Sequence, residues 1–170
     1  QIIAEDGTVL STFHIENRSY ASYNELSDGL KDALIATEDV RFYNHSGIDF
    51  RSLARVVVKS VLMGNRRSGG GGSTISQQLA KSLFPRDTVE SKFPGAKYFV
   101  LVNNKLKEWI TAVKLERNYT KEEIMSMYFN AVFFGSNSYG IKAAANTFFG
   151  KHPKDLNVEE SALLVGMVNM

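Results

Sequence analysis

Apolar residues recur at three- and four-residue spacing along most of the chain, which is the pattern of amphipathic helices. Leu26, Leu30 and Leu34 begin this pattern, and Leu106, Ile110 and Val113 carry it later in the chain. The spacing predicts helices over 24–42, 49–65, 73–83, 103–118, 120–134, 140–150 and 157–168. The chain is therefore predicted to be mainly α.

Two stretches depart from the helical pattern. The opening "IIAEDGTVLSTFHI" has a strand-turn-strand pattern with Asp6-Gly7 as the turn, which predicts a short N-terminal β-hairpin. Pro85, Pro94 and Gly95 interrupt the later segment, so residues 85–102 are predicted to be irregular. Two capping boxes, Thr120 with Glu123 and Asn157 with Glu160, mark the starts of later helices.

Composition narrows the class of protein. A chain of 170 residues with 44% hydrophobic residues can build a real core, and a net charge of +2 lacks the basic excess typical of nucleic-acid binding. There are no cysteines, and the three histidines lack the spacing of a metal site. No apolar run is long enough to span a bilayer. Because the chain begins abruptly and stops within an apolar run, we expect residues 1–170 to be one domain of a longer protein.

The stretch "GGGGSTISQQLAK", residues 69–81, joins a glycine run to a helix start. If Ser73 or Thr74 caps the helix, then Thr74, Gln78 and Lys81 fall on one face. The free N–H groups of a helix start, with glycines that let a ligand approach, suit an anion such as phosphate. A flexible linker before an ordinary amphipathic helix explains the pattern equally well.

Two glutamates are candidates for acid–base chemistry. Glu38 lies four residues after Leu34, on the apolar stripe, where burial raises the pKa of a carboxylate and suits it to proton transfer. The alternatives are that the helix has ended and Glu38 is solvated, or that it pairs with Arg41. Glu108 shares a helix face with Lys105, although a solvated ion pair is the commoner arrangement.

Other polar and small residues have simpler interpretations. His45 and Asp49 are expected to fix a loop through hydrogen bonds, and Gly47 is expected to supply a turn. The alanines at 143–145 are expected to pack in the core.

Five blocks along the chain resemble one family. They are "ATEDVRFYNHSGIDF", "GGSTISQQLAKSLF", "KLKEWITAVKLE", "KEEIMSMYFNAVFFG" and "YGIKAAANTFFGK". Their order is that of the peptidoglycan glycosyltransferases, glycosyltransferase family 51, which comprises the polymerase domain of class A penicillin-binding proteins and the monofunctional transglycosylases. The resemblance covers nearly the whole chain, and the first two blocks are the most specific.

The resemblance implies a lysozyme-like bilobal helical domain, with a head and a smaller jaw, that polymerises lipid II into β-1,4 glycan with inversion. Glu38 matches the family's general base, Asp39 its partner in the site and Glu108 its second glutamate. Undecaprenyl pyrophosphate would be the leaving group. The implied substrate-binding residues are Ser73, Thr74, Gln77, Gln78, Lys81, Asn104 and Lys105.

The chain departs from the family pattern at three places. Asn104-Lys105 stands where Arg-Lys is usual, Ser126 stands where glutamate is common, and the glycine run Gly69–Gly72 is longer than usual. These departures bear on donor binding and leave the reaction itself intact.

The resemblance also implies partners and a location. The partners are lipid II, the growing glycan strand and the cytoplasmic membrane, with cell-wall synthesis proteins as further candidates and no nucleic acid. The domain would lie on the outer, periplasmic face of the bacterial inner membrane, with Phe99, Val100 and Leu101 as candidate membrane contacts. No cofactor is required, although a divalent cation such as Mg²⁺ is compatible with the pyrophosphate.

Two other functions stay open on the sequence. A lysozyme-like enzyme that cleaves glycan would also use a single glutamate, but it would have no pyrophosphate to hold. A non-enzymatic module that binds a lipid-linked sugar or a partner protein would have no use for Glu38 and Glu108.

Overall fold

The computed structural model describes residues 2–3, 9–11, 20–63, 72–84 and 96–168. These residues form seven α-helices and three short 3₁₀ turns, so the predicted mainly helical class is confirmed. The helices are α1 (Asp28–Glu38), α2 (Phe50–Met63), α3 (Ile75–Leu83), α4 (Ala96–Asn118), α5 (Lys121–Ala131), α6 (Ile141–Phe149) and α7 (Val158–Met167). The 3₁₀ turns are Tyr23–Glu25, Phe42–Asn44 and Pro153–Asp155.

Two short strands stand at the beginning of the chain. β1 (Ile2–Ile3) pairs antiparallel with β2 (Val9–Ser11), with Ile2 opposite Ser11 and an irregularity between the two residues of β1. The predicted turn at Asp6-Gly7 lies outside the described residues.

Both predicted capping boxes are confirmed. Thr120 begins α5, where its hydroxyl accepts from the Glu123 amide and the Glu123 carboxylate accepts from the Thr120 amide. Asn157 and Glu160 make the same reciprocal pair at the start of α7. Each box satisfies amides that the first turn of a helix otherwise leaves without partners.

The prediction of irregular structure is wrong over residues 96–102, which form the first two turns of α4. Pro94 and Gly95 immediately precede the helix in sequence, so they mark its start and do not interrupt its first turns. The seven residues after them contain no further proline or glycine, and the helix continues to Asn118.

One apolar core joins five of the helices. α3 packs against both α4 and α5, and α1 packs along α7. The largest fully buried side chains come from α1, the Phe42 turn, α3, α5, the segment after α5, α6 and α7; they are Tyr128, Phe42, Phe129, Phe134, Leu30, Leu34, Ile75, Leu79, Ile124, Met125, Ile141 and Leu164. Ala143, Ala144 and Ala145 are buried as predicted. This core fixes the end of α1 beside the start of α3, where the predicted site residues lie.

Candidate active site

A cleft of about 870 Å³ opens between α1, α3, α4 and α5. Its lining includes most of the predicted site residues: Glu38, Ser73, Gln77, Gln78, Lys81, Lys105 and Glu108. The two glutamates, 70 positions apart in sequence, therefore share one cavity. Sequence spacing could not have placed them together.

Glu38 is the last residue of α1 and is half-buried. The side-chain amide of Gln78 donates to Glu38 Oε2 at 2.5 Å. The guanidinium of Arg41, considered above as a partner for Glu38, forms a bidentate contact with Asp49. Glu38 is thus turned toward the cleft and α3.

Asp39 links the end of α1 to the start of α3. Its buried Oδ2 accepts from the backbone N–H of Ile75 at 3.2 Å and lies 2.8 Å from His45 Nε2. The Gly47 amide can only donate to His45 Nδ1, so His45 Nε2 carries the proton that Asp39 accepts. A carboxylate at the N-terminus of α3 is also favoured by the helix dipole.

Asp49 fixes the end of the loop that joins α1 to α2. Its side chain accepts from Arg41 and Ser52, and it caps the first turn of α2. Although burial raises the pKa of Asp49, the hydrogen bonds from Arg41 and Ser52 outweigh it and hold that pKa below its usual range. The prediction that His45 and Asp49 fix a loop is confirmed, and Gly47 makes the predicted turn at φ +93°.

The start of α3 is built from buried polar groups. Thr74 is the N-cap, accepting from the Gln77 amide and donating to the Gly47 carbonyl at 2.7 Å. The Gln77 side chain donates to the same carbonyl, while its Oε1 is buried and has no hydrogen-bond partner among the described residues. Thr74 therefore fixes the start of α3 against Gly47, whereas Gln78 and Lys81 line the main cleft.

Lys105 joins the α3 side of the cleft to α4. Its Nζ lies 2.9 Å from Glu108 Oε2 and 2.9 Å from Ser73 Oγ. The predicted shared face of Lys105 and Glu108 is confirmed, and the pair is not a solvated surface pair, because Glu108 is buried. Asn104 is also buried, and it is not among the residues that line the main cleft.

A second, smaller cleft adjoins the first. It has a volume of about 370 Å³, shares Glu38, Gly72 and Ser73 with the main cleft, and is also lined by Asp39 and Thr74. Glu38 therefore stands at the junction of two cavities. Such a position gives one carboxylate access to ligands on both sides.

Sequence reasoning missed Tyr128, which lines the main cleft from α5. Its hydroxyl donates to Gln78 Oε1 at 3.1 Å. Burial raises the pKa of Tyr128, and the nearby charge of Glu38 raises it further. Its position on an apolar stripe predicts an ordinary core residue, so only the three-dimensional contact reveals it.

A buried ionic network behind α3 was also missed. Glu116 accepts from Ser76 Oγ at 2.5 Å and from Lys121 Nζ at 2.7 Å, and Lys121 also donates to the His45 carbonyl. These contacts join α3, α4, α5 and the loop after α1. The spacing of five between Glu116 and Lys121 crosses a helix boundary and carries no helical pairing signal.

Neither a metal-binding cluster nor a membrane-spanning helix occurs within the described ranges. No group of three or more histidine, aspartate or glutamate side chains in those ranges could hold a metal ion. The compatibility with a divalent cation stays a prediction. No helix in the same part of the chain is both long and apolar enough to cross a membrane.

A helical domain that sets two carboxylates and two lysines around one cleft suits acid–base chemistry on a ligand that carries negative charge. The family model described as Transglycosylase matches residues 6–170, and the chain belongs to that family. The resemblance noted in the sequence is thereby confirmed. The domain is a glycosyltransferase.

Several relatives are similar in sequence to this chain over nearly its whole length. It is similar to penicillin-binding protein 1F of Bacillus subtilis (40% identity over 98% of this chain) and to penicillin-binding protein 1A of Aquifex aeolicus (37% over 95%). It is also similar to penicillin-binding protein 1A of Neisseria flavescens (36% over 98%). The matched region is only 22%, 20% and 19% of these relatives, so the chain spans about a fifth of their length.

Proposed function

We propose that the domain polymerises lipid II into β-1,4-linked peptidoglycan strands with inversion, using Glu38 as general base. The observation that carries the proposal is the main cleft, where Glu38 lies with Glu108, Lys105 and Lys81. Membership of the transglycosylase family and similarity to penicillin-binding proteins support the choice of substrate.

In this reaction the Glu38 carboxylate removes the proton from the 4-hydroxyl of the acceptor sugar. The hydroxyl oxygen attacks the anomeric carbon of the donor and forms the new β-1,4 bond. The bond from that carbon to the phosphate oxygen breaks, and undecaprenyl pyrophosphate leaves with the electron pair. Attack opposite the leaving group inverts the anomeric centre, and the proton ends on Glu38.

The lysines of the cleft suit the leaving group. Negative charge builds on phosphate oxygens as the bond breaks, and Lys81 and Lys105 place two ammonium groups on this cleft. Glu108 and Ser73 hold the Lys105 ammonium in position. Asp39 and Thr74 contribute by fixing the start of α3.

We also propose the lysozyme-like division into a head and a jaw. The buried core of α1, α3, α5, α6 and α7 would be the head. The jaw would comprise α2 and the start of α4, whose described side chains include the exposed Phe50, Val58, Tyr98 and Phe99.

The exposed apolar side chains at the start of α4 support docking on a membrane, which we propose is the cytoplasmic membrane, approached from its outer face. Tyr98, Phe99, Leu101 and Val102 are all exposed, and Val100 is half-buried among them. A contiguous exposed apolar surface of this kind favours contact with lipid or a partner protein. It would keep the cleft near a substrate whose lipid stays in the bilayer.

A glycan-cleaving enzyme would need a carboxylate like Glu38 but no site for a pyrophosphate. The lysines of the cleft therefore favour synthesis over cleavage. A divalent cation could add to their charge on the pyrophosphate, and this part of the proposal rests on the substrate's chemistry alone.

The test is polymerisation of labelled lipid II by the wild type and by Glu38→Gln, with products separated on a gel. We expect a ladder of long glycan from the wild type and a loss of at least about 100-fold in Glu38→Gln, since general bases contribute about that much. Glu122→Gln, an exposed change on α5, is the matched control. Shortening of preformed glycan without polymer formation would establish the cleaving enzyme instead.

A further inference from the structure

Three side chains from three helices form a hydrogen-bonded chain that ends at Glu38. Tyr128 Oη on α5 donates to Gln78 Oε1 on α3 at 3.1 Å. Gln78 Nε2 then donates to Glu38 Oε2 on α1 at 2.5 Å. Tyr128 is fully buried, so its hydroxyl has a fixed environment.

The donor and acceptor groups of these hydrogen bonds fix the direction in which each bond runs. A carboxylate only accepts hydrogen bonds, so the NH₂ end of the Gln78 amide must face an ionised Glu38. The carbonyl end then faces Tyr128, whose hydroxyl must donate. Burial and the charge of Glu38 both raise the pKa of Tyr128, so the phenol keeps this proton at neutral pH.

The orientation of Gln78 matters for the base. A donor facing Glu38 stabilises the carboxylate, which is the form that can accept a proton from the acceptor hydroxyl. A rotated amide would face the carboxylate with its own carbonyl oxygen and would favour the protonated acid instead. The orientation seen here presents a hydrogen-bond donor, and not an acceptor, to Glu38.

Other charged groups face Glu38 and would remain in place. Lys81, Lys105 and Glu108 line the main cleft from α3 and α4. The smaller cleft, which Glu38 also lines, adds four charged side chains: Arg41, Asp49, Arg51 and Arg55. Asp39 is the next residue along the chain, and its carboxylate contacts His45 and the start of α3. A change confined to the Tyr128 hydroxyl leaves all of these charges unaltered.

We propose that Tyr128 is a positioning residue that locks the Gln78 amide with its NH₂ toward Glu38 and so keeps the base ionised. The inference rests on the proposed function, in which Glu38 removes the acceptor proton. Tyr128 itself is not assigned a contact with substrate.

The first test compares Tyr128→Phe with the wild type in lipid II polymerisation across the acidic pH range. The acidic limb of the kcat profile should move about 0.5–1 pH unit higher, which lowers the rate about threefold to tenfold on that limb. The plateau rate and KM should change less than about twofold. Tyr119→Phe, which removes an exposed hydroxyl outside the cleft, should leave the profile in place.

A double-mutant cycle separates positioning from simple packing. In a Gln78→Ala background, Tyr128→Phe should cause no further shift of the acidic limb, because the amide it orients is gone. An equal shift in both backgrounds would overturn the proposal.

A readout independent of activity uses the chain with ¹⁵N-labelled glutamine. The Gln78 side-chain amide, assigned by its absence in Gln78→Ala, should have a downfield proton whose shift follows the titration of Glu38. Tyr128→Phe should move this proton upfield, whereas Tyr119→Phe should not. An unchanged Gln78 signal in Tyr128→Phe would overturn the proposal, whatever the enzyme does with lipid II. If the signal responds as expected but the wild type makes no polymer, the proposed function fails and the Tyr128–Gln78 positioning stands.

Discussion

The first two turns of α4 present four large apolar side chains to solvent, whereas the next turns of the same helix bury polar ones. Phe99 is 79% exposed, while Glu108 is 6% exposed and Asn104 is equally buried. The usual preference for apolar residues inside and charged residues outside is therefore reversed along one helix.

This reversal indicates two different surroundings. A buried carboxylate is tolerated only with partners, and Glu108 has Lys105, which in turn contacts Ser73 on the α3 side of the cleft. An exposed cluster of apolar side chains is stable as a surface when lipid or another protein covers it. The first half of α4 thus suits a docking surface and the second half suits a charged site.

The largest effect should come from Gly47→Ala, which disturbs the loop packed on the second half of α4. Gly47 has φ +93°, and an added Cβ would lie 2.8 Å from the backbone carbon and oxygen of Ala112. The strained backbone and the clash together should lower the free energy of unfolding by about 3 kcal/mol. Thermal and denaturant unfolding measure this loss.

Gly166→Ala in α7 is the matched control, since a Cβ there would meet nothing within 4 Å. It should be neutral or slightly stabilising, because alanine favours a helix over glycine. Equal destabilisation by the two changes would mean that the loop and α4 are not tightly packed.

The second-largest effect should be on the rate of lipid II polymerisation. Glu108→Gln should lower the rate of lipid II polymerisation about 100-fold, because Lys105 loses a charged partner and the cleft loses one of its two carboxylates. Glu122→Gln, an exposed change on α5, should leave the rate within about twofold. A wild-type rate in Glu108→Gln would mean that the buried Lys105–Glu108 pair supports the fold and not the reaction.

A smaller effect should follow from changing the first half of α4. Phe99→Ser with Leu101→Ser should weaken binding to vesicles of phosphatidylethanolamine and phosphatidylglycerol about tenfold, through lost apolar contact. Vesicle sedimentation measures the binding, and the melting temperature should stay unchanged because both side chains are exposed.

The matched control for this surface lies on α7. Val158→Ser with Leu163→Ser removes two other exposed apolar side chains outside α4. An equal loss of vesicle binding in both variants would show that the α4 surface has no special role.

Much of the fold followed from local signals. The spacing of apolar residues located the helices, although Leu106 and Ile110 of the predicted α4 stripe are exposed. The reciprocal caps Thr120–Glu123 and Asn157–Glu160 occur where the sequence placed them. Local signals failed at residues 96–102. Pro94 and Gly95 predicted irregular structure there, whereas these two residues directly precede a helix that begins at Ala96. The same residue types disfavour helix interiors and are tolerated at helix starts, so composition could not decide.

The candidate site was predictable only in part. The shared face of Lys105 and Glu108 is a property of one helix, and the sequence contained it. The contacts of Gln78 with Glu38 and Tyr128 join residues 40 and 50 positions apart, which no periodicity encodes. Asp39 illustrates the same limit, because its role as a partner for the α3 N-terminus depends on how α1 and α3 meet.

The smallest effect should come from Asp49→Asn in the loop that packs beside the second half of α4. The folded-state pKa of Asp49 lies below its usual range, since hydrogen bonds from Arg41 and Ser52 outweigh the effect of burial. Its carboxylate therefore stabilises the fold above about pH 4, and this contribution is lost as the pH falls through the folded-state pKa. Asp49→Asn keeps a side chain that can cap α2 but removes the charge, so the free energy of unfolding at pH 7 should fall by about 1 kcal/mol and decline less steeply below pH 4. Urea unfolding at several pH values measures both changes, with the exposed Asp32→Asn on α1 as the control. An acid decline as steep as that of the wild type would mean that the stability of the loop beside α4 does not depend on the Arg41–Asp49 pair.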